Sequence, residues 1–233
     1  MSTASADPTT SDSDPTPNGR TVRVWDPVVR IGHWVLVAGF LICYLTEGEP
    51  EWLHNWSGYA VAAVVVLRIV WGVVGTKHAR FSDFVRGPGA ALEYLKGTVS
   101  GAGKRYLGHN PAAGLMALAL LTSIGITAFT GMAMIAEEGR GPLASFIGPQ
   151  AAVEMQVVSP ALADDDEHEY GEHGEGGEGA GEGAGEQWEE IHELFANITL
   201  GLMVLHILGV LVSSMAHNEN LVRAMIDGRK RAS

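Results

Sequence analysis

His192 and His206 stand fourteen residues apart within the last long apolar segment of the chain. Fourteen residues is just under four helical turns, so on a helix both imidazoles leave nearly the same face, about 21 Å apart along the axis. Two more histidines, His33 and His54, lie in earlier apolar segments. An ionisable ring in hydrocarbon is rare and normally faces the interior of a helix bundle. One such ring is compatible with a packed, hydrogen-bonded core histidine, but a set of four suits a different chemistry. Neutral imidazole is a good axial ligand for iron, and two imidazoles on one porphyrin close both faces to substrate and favour electron transfer. The tetrad therefore reads as two stacked haem sites, and a hydrocarbon core of about 30 Å has room for one beneath each surface.

The elements that must position these rings are membrane helices. Apolar residues make up 46% of the 233, and the mean hydropathy of +0.12 is high for a chain carrying 27 acids and 15 bases. The charges are segregated, leaving four candidate spans at 31–45, 56–75, 112–135 and 194–215. The first is short, and is completed from 22–29, where Trp25 resembles an interfacial anchor. A soluble helical protein is disfavoured because 61–74 and 115–134 are apolar on every face rather than along one stripe. The expected fold class is all-α, an integral membrane four-helix bundle holding two haems. Its expected parts are a disordered tail (1–20), three membrane helices with a cytoplasmic loop (21–136), a long acidic periplasmic loop (137–188), and a fourth membrane helix with a basic cytoplasmic tail (189–233).

Loop charges set the orientation. The tail MSTASADPTTSDSDPTPNG has neither a basic n-region nor an apolar core, so it reads as disordered and not as a signal peptide. Arg20, Arg23 and Arg30 precede the first span; Lys77, Arg80, Arg86, Lys96, Lys104 and Arg105 lie between the second and third; Arg223, Arg229, Lys230 and Arg231 follow the fourth. These belong on the cytoplasmic side, which puts both termini inside. The opposite connections hold Glu47, Glu49 and Glu51, then fifteen acids against one base, Arg140, between residues 137 and 190. Depth then pairs His54 with His192 near the outer surface and His33 with His206 near the inner one. The opposite pairing would ask each flat macrocycle to reach ligands at both leaflets.

Other residues carry weaker signals. Arg68 follows His54 by fourteen residues and so lies on nearly the same face at the depth of the inner site. It is either the partner of a haem propionate or an arginine snorkelling to the interface. Arg30, one turn before His33, could serve the same propionates. Gly32, Gly58, Gly201 and Gly209 leave room for a porphyrin plane, or simply for helix packing. The third span has no interior histidine; His109, just before it, reads as a helix cap or an interface anchor. Cys43 is the single cysteine and no C-x-x-C-H occurs, so covalent attachment is excluded and any haem is b-type. Cys43 itself reads as a small packing residue.

The stretches RVWDPVVRIGHW, LHNWSGY, LRIVWGVVGTKHARFSDFV, YLGHNPAAG and EEIHELFANITLGLMVLHILG resemble the bacterial cytochrome b561 and nickel-iron hydrogenase b-type cytochrome family, over about 21–231. The H-x13-H spacing of the last span is the most specific part of the likeness. The resemblance implies a four-helix, di-haem b cytochrome of the bacterial inner membrane. It also implies electron exchange between a periplasmic redox partner, a c-type cytochrome or a hydrogenase-like protein, and the quinone pool. The family's ligand positions fall on His33, His54, His192 and His206.

The departure from that pattern is the connection at 139–187, whose later part, DDDEHEYGEHGEGGEGAGEGAGE, is acidic, glycine-rich and of low complexity. It reads as a solvated spacer, as a docking surface for a basic protein, or as a metal-capturing segment through His168 and His173. Residues 142–163 are more apolar and could rest on the membrane. Two functions are carried forward: an electron conduit, with any catalysis confined to quinone chemistry, and a membrane anchor whose haems are mainly structural. A solute carrier is weaker, since no span carries an ion-coordinating carboxylate. No nucleic-acid partner is expected, and a homo- or hetero-oligomer is compatible with the chain.

Overall fold

A computed structural model of the chain describes residues 21–100, 106, 108–148 and 178–231. The expected N-terminal tail and most of the acidic connection, with His168 and His173, lie outside the described residues. The helices are α1 (Pro27–Thr46), α2 (Glu51–Val74), α3 (Phe81–Phe84), α4 (Pro88–Val99), α5 (Pro111–Glu137), α6 (Ala144–Ile147), α7 (Glu178–Ala216) and α8 (Leu221–Asp227). Two short strands, β1 (Thr21–Arg23) and β2 (Arg229–Arg231), pair antiparallel. Four helices are long and apolar enough to cross a membrane: α1, α2, α5 and the Gly185–Ala216 part of α7.

Local chemistry explains the helix starts. Asp26 caps α1 by accepting from Val29 N at 2.9 Å, with Pro27 in the first turn. Asn110 caps α5 in the same way at Ala113 N, with Pro111 following. The short first span is thus completed on its N-terminal side, and its 20 residues reach about 30 Å. α7 begins within the stretch expected to be loop. Glu and Ala favour helix, carboxylates complement the positive end of the dipole, and propagation from a formed apolar helix is inexpensive even through glycine.

α5 packs chiefly on α7 and α1 on α2, while α2 against α5 joins the two pairs. Val61, Val65 and Ile124 form the buried centre, with Leu36, Leu121 and Ala128 around them. Between α5 and α7 a buried hydroxyl pair, Ser123 and Thr199 at 2.7 Å, replaces apolar packing. Such pairs suit helices in lipid, where hydrocarbon gives little driving force for association. The outward faces stay apolar, as at Val66, Val73, Leu205 and Val212.

The two ends of the described chain meet on one side of the bundle. β1 lies in register with β2, and Val24 N and Trp25 N both donate to the carbonyl of Gly228. Lys230 and Glu219 form an ion pair at 3.7 Å with both side chains less than a tenth exposed. Trp25, expected as an interfacial anchor, is instead buried with Val24 and Ala224 under this clasp. The small ladder also qualifies the all-α expectation.

Asp26 ties the clasped ends of α1 and α2 together. Besides capping α1 it accepts from Trp71 Nε1 at 3.0 Å and from Thr76 Oγ1 at 2.6 Å. Desolvation alone would raise its pKa, but the hydrogen bonds from Thr76, Trp71 and Val29 outweigh it and hold the carboxyl below its ordinary value. A group depressed on folding contributes stability above its unfolded pKa and loses it as pH falls through the folded one. Asp26→Ala is expected to cost about 2–3 kcal/mol, one cap plus two stranded donors. Thermal melts in detergent should show that deficit at neutral pH and a narrower one in acid; equal melting at neutral pH would contradict it.

Candidate functional site

Away from the clasp, α1, α2, α5 and α7 enclose a cavity of about 660 Å3 lined by Cys43, His54, Gly58, Thr127, Gly131 and His192. His54 enters from the first turn of α2 and His192 from α7, and their ring centroids lie 6.2 Å apart. The His192 Nδ1 sits 2.9 Å from the Thr127 carbonyl oxygen and 3.2 Å from Thr130 Oγ1. A carbonyl can only accept, so Nδ1 carries the proton and Nε2 keeps its lone pair. The Thr130 hydroxyl reaches the carbonyls of Ile126 and Thr127, each at 3.0 Å, and its oxygen is left to accept from the imidazole. Gly131 makes the close approach possible, since a Cβ there would fall 2.9 Å from His192 Cε1. Cys43, expected only to pack, also directs its thiol at the His54 carbonyl at 3.5 Å.

Nearer the clasp, a second cavity of about 200 Å3 is lined by His33 from α1, His206 from α7, Arg68 from α2 and His109. Phe40 and Ile124 line both cavities and form the wall between them. Arg68 does not snorkel freely. Its guanidinium lies 4.9 Å from the Phe81 ring and 5.8 Å from the Phe84 ring, with Nη1 buried and unpartnered. His109 is held between Trp25 and Phe84, at 4.6 and 4.3 Å between centroids. Burial foremost, and then the charges of Arg68 and Lys230, push its pKa down to about 3, so it is neutral.

The four histidines predicted from the sequence are thus brought together two by two, His54 facing His192, and His33 sharing a cavity with His206. Arg30 is engaged elsewhere, its Nε 3.4 Å from the Met225 carbonyl. Of the four glycines, Gly32 and Gly58 line the cavities and Gly201 and Gly209 do not. Sequence reasoning passed over α5 because it has no interior histidine, yet Thr127, Thr130 and Gly131 supply the support for His192. The available signal was a T-x-x-T-G pattern in an otherwise apolar span. His109 was read as a cap or interface anchor; Asn110 is the cap, and His109 lines the cavity.

These residues fit an iron porphyrin in their donor chemistry. Metal–imidazole bonds of about 2 Å on both sides of one ion put the ring centroids roughly 6 Å apart, as His54 and His192 are. Nδ1 of His33 and of His54 is buried without a partner, so each ring has a nitrogen that no protein group engages and that is open to a metal. Among the described residues no three His, Cys, Asp or Glu side chains converge on one point. The larger cavity lies within the range of about 300–1,000 Å3 usual for cofactor sites. The smaller falls below it, so a porphyrin between His33 and His206 requires its lining to move apart.

Residues 24–228 match the family model described as prokaryotic cytochrome b561. The chain is 26% identical to a protein of Rhizobium leguminosarum bv. viciae named "Probable Ni/Fe-hydrogenase B-type cytochrome subunit". That likeness covers 51% of this chain and 61% of the relative, so the chain spans less than two thirds of the relative's length. No solved structure matches.

Proposed function

The chain belongs to the prokaryotic cytochrome b561 family, and we propose that it is a di-haem b-type cytochrome of the bacterial inner membrane. It carries electrons between a redox protein on the outer face, a c-type cytochrome or a hydrogenase-like oxidoreductase, and the quinone pool. The observation that carries this reading is the His54–His192 pair: two imidazoles 6.2 Å apart, one fixed in the tautomer that frees Nε2. His206 offers a second ligand from the same helix beside His33. Haem held by these histidines would supply a one-electron couple and electron transfer in place of substrate chemistry.

The remaining work falls to the chain's own residues. Thr127 and Thr130 fix the orientation and tautomer of His192, as hydrogen-bonded partners of a ligating histidine do. Arg68 places a fixed positive charge beside the inner pair, where a propionate is its natural partner. Phe40 and Ile124 keep the two centres separate. Charge supports the orientation, since Thr76, at the start of the basic connection between α2 and α5, hydrogen-bonds Asp26 beside the paired ends. On the opposite side Glu47, Glu51, Glu138, Glu189 and Glu193 rim the outer cavity, with Arg140 pairing to Glu51 at 3.0 Å and to Glu138. Such a rim favours encounter with a basic partner at low salt.

Pyridine haemochrome assay and dithionite-minus-ferricyanide spectra of the purified full chain are the test. Two protohaems per chain, resolved in a redox titration, are expected. A folded preparation that takes up one haem or none on reconstitution would overturn the reading.

A further inference from the structure

Arg68 and His109 come from distant parts of the sequence, the third quarter of α2 and the residue before the cap of α5, yet they line one cavity. Phe84 joins them, lying 5.8 Å from the Arg68 guanidinium carbon and 4.3 Å from the His109 ring. Phe81 holds Arg68 from a second direction, and Trp25 meets His109 edge-on. The four-residue helix α3 (Phe81–Phe84) therefore serves as a platform that fixes both side chains. An aromatic face attracts the guanidinium charge but cannot accept in-plane hydrogen bonds. Correspondingly, Arg68 Nη1 and His109 Nδ1 are both buried with no hydrogen-bond partner. Asp26, whose charge acts on Arg68, is already engaged by Trp71 and Thr76. One fixed cation and one neutral ring nitrogen, both unpartnered in an apolar setting, suit a single carboxylate, which takes its charge balance from Arg68 and, with the His109 proton on Nδ1, a second hydrogen bond from that ring.

We propose that Arg68 and His109 form a carboxylate-binding site at the clasp end of the His33/His206 cavity, and that its occupant is a propionate of the inner haem. This rests on the reading that the cavity holds haem. It makes His109 a positioning residue that orients the macrocycle without touching the iron. The neutral ring contributes a hydrogen bond and leaves the site's net charge to Arg68.

The test compares the full chain with Arg68→Gln, Arg68→Lys, His109→Leu and His109→Gln, each first assayed for haem content. Optical redox titration, resonance Raman spectra of the propionate bending region, and haem transfer to apomyoglobin are the readouts. Arg68→Gln is expected to lower the midpoint potential of one haem only, since removing a positive charge favours the oxidised form, and Arg68→Lys should recover much of the shift. His109→Leu should displace a propionate band and speed loss of one haem about three- to tenfold, the worth of one hydrogen bond; His109→Gln should restore both. Two bound haems with unchanged potentials, propionate bands and transfer rates in Arg68→Gln and His109→Leu would overturn this site and leave the di-haem reading standing. If His109→Leu does not fold, an unchanged propionate band in Arg68→Gln decides against the site. A wild-type chain with fewer than two haems removes the parent reading and this one with it.

Discussion

Replacing His192 by alanine is expected to halve the haem content, from two per chain to one, and replacing His206 to remove the other haem instead. The expectation follows from the pairing proposed above, in which each imidazole closes one face of one porphyrin and cannot be replaced by a neighbour. Among the described residues the first cavity is lined by no histidines besides His54 and His192. In the second, His109 is clamped between Trp25 and Phe84, so it is not free to swing into a vacant axial position. Pairing has a sharper signature than loss. Residues serving one centre are non-additive, so His54→Ala with His192→Ala should be no worse than either alone, whereas His192→Ala with His206→Ala should be haem-free. Redox titration of each single variant identifies which component disappears. If His192→Ala and His33→Ala lose the same component, the pairing is wrong.

The second large effect is expected from a residue that touches no iron. Gly131→Ala adds a Cβ that would fall 2.9 Å from Cε1 and 3.2 Å from Nδ1 of His192. That ring cannot retreat easily, because Nδ1 is tied to Thr127 and Thr130. Overpacking of this kind costs about 1–3 kcal/mol, so the outer haem should bind roughly ten- to a hundredfold more weakly, with the inner haem retained. Gly125→Ala is the matched control on the same helix, where the added carbon meets only Val65 Cγ1 at 3.6 Å. Haem titration of the two apo-variants should separate them clearly, and equal affinities would remove Gly131 from any role in seating His192.

What the sequence discloses and what it hides divide along physical lines. The four spans are legible because long apolar runs have few alternatives, and the histidines stand out because hydrocarbon makes each of them expensive. The boundaries of α7 are not legible: glycine and glutamate suggest a solvated segment, while the helix that follows carries them along from Glu178. β1 and β2 are three residues each and find one another across almost the whole chain, which no local pattern records. Trp25 has the composition of an interfacial anchor and the location of a core residue, because Ala224 covers it. His109 was set aside for lying outside a span; three-dimensional proximity to Phe84 and Arg68, not hydropathy, gives it a place in the cavity. The support of His192 on α5 shows the same limit in part: the backbone carbonyl it meets at Thr127 could belong to any residue, and only the Thr130 hydroxyl and Gly131 leave a mark in the sequence.

The clasp also sets which cavity is completed last along the chain. Met225 lines the His33/His206 cavity, and its carbonyl meets Arg30 across a separation of 195 residues. Among the described residues, those lining the other cavity all precede the end of α7. As the ribosome extends the chain, the residues lining the outer chamber are therefore all made before the inner one gains Met225, so on the di-haem reading proposed above the outer cofactor can be held first and the inner one last.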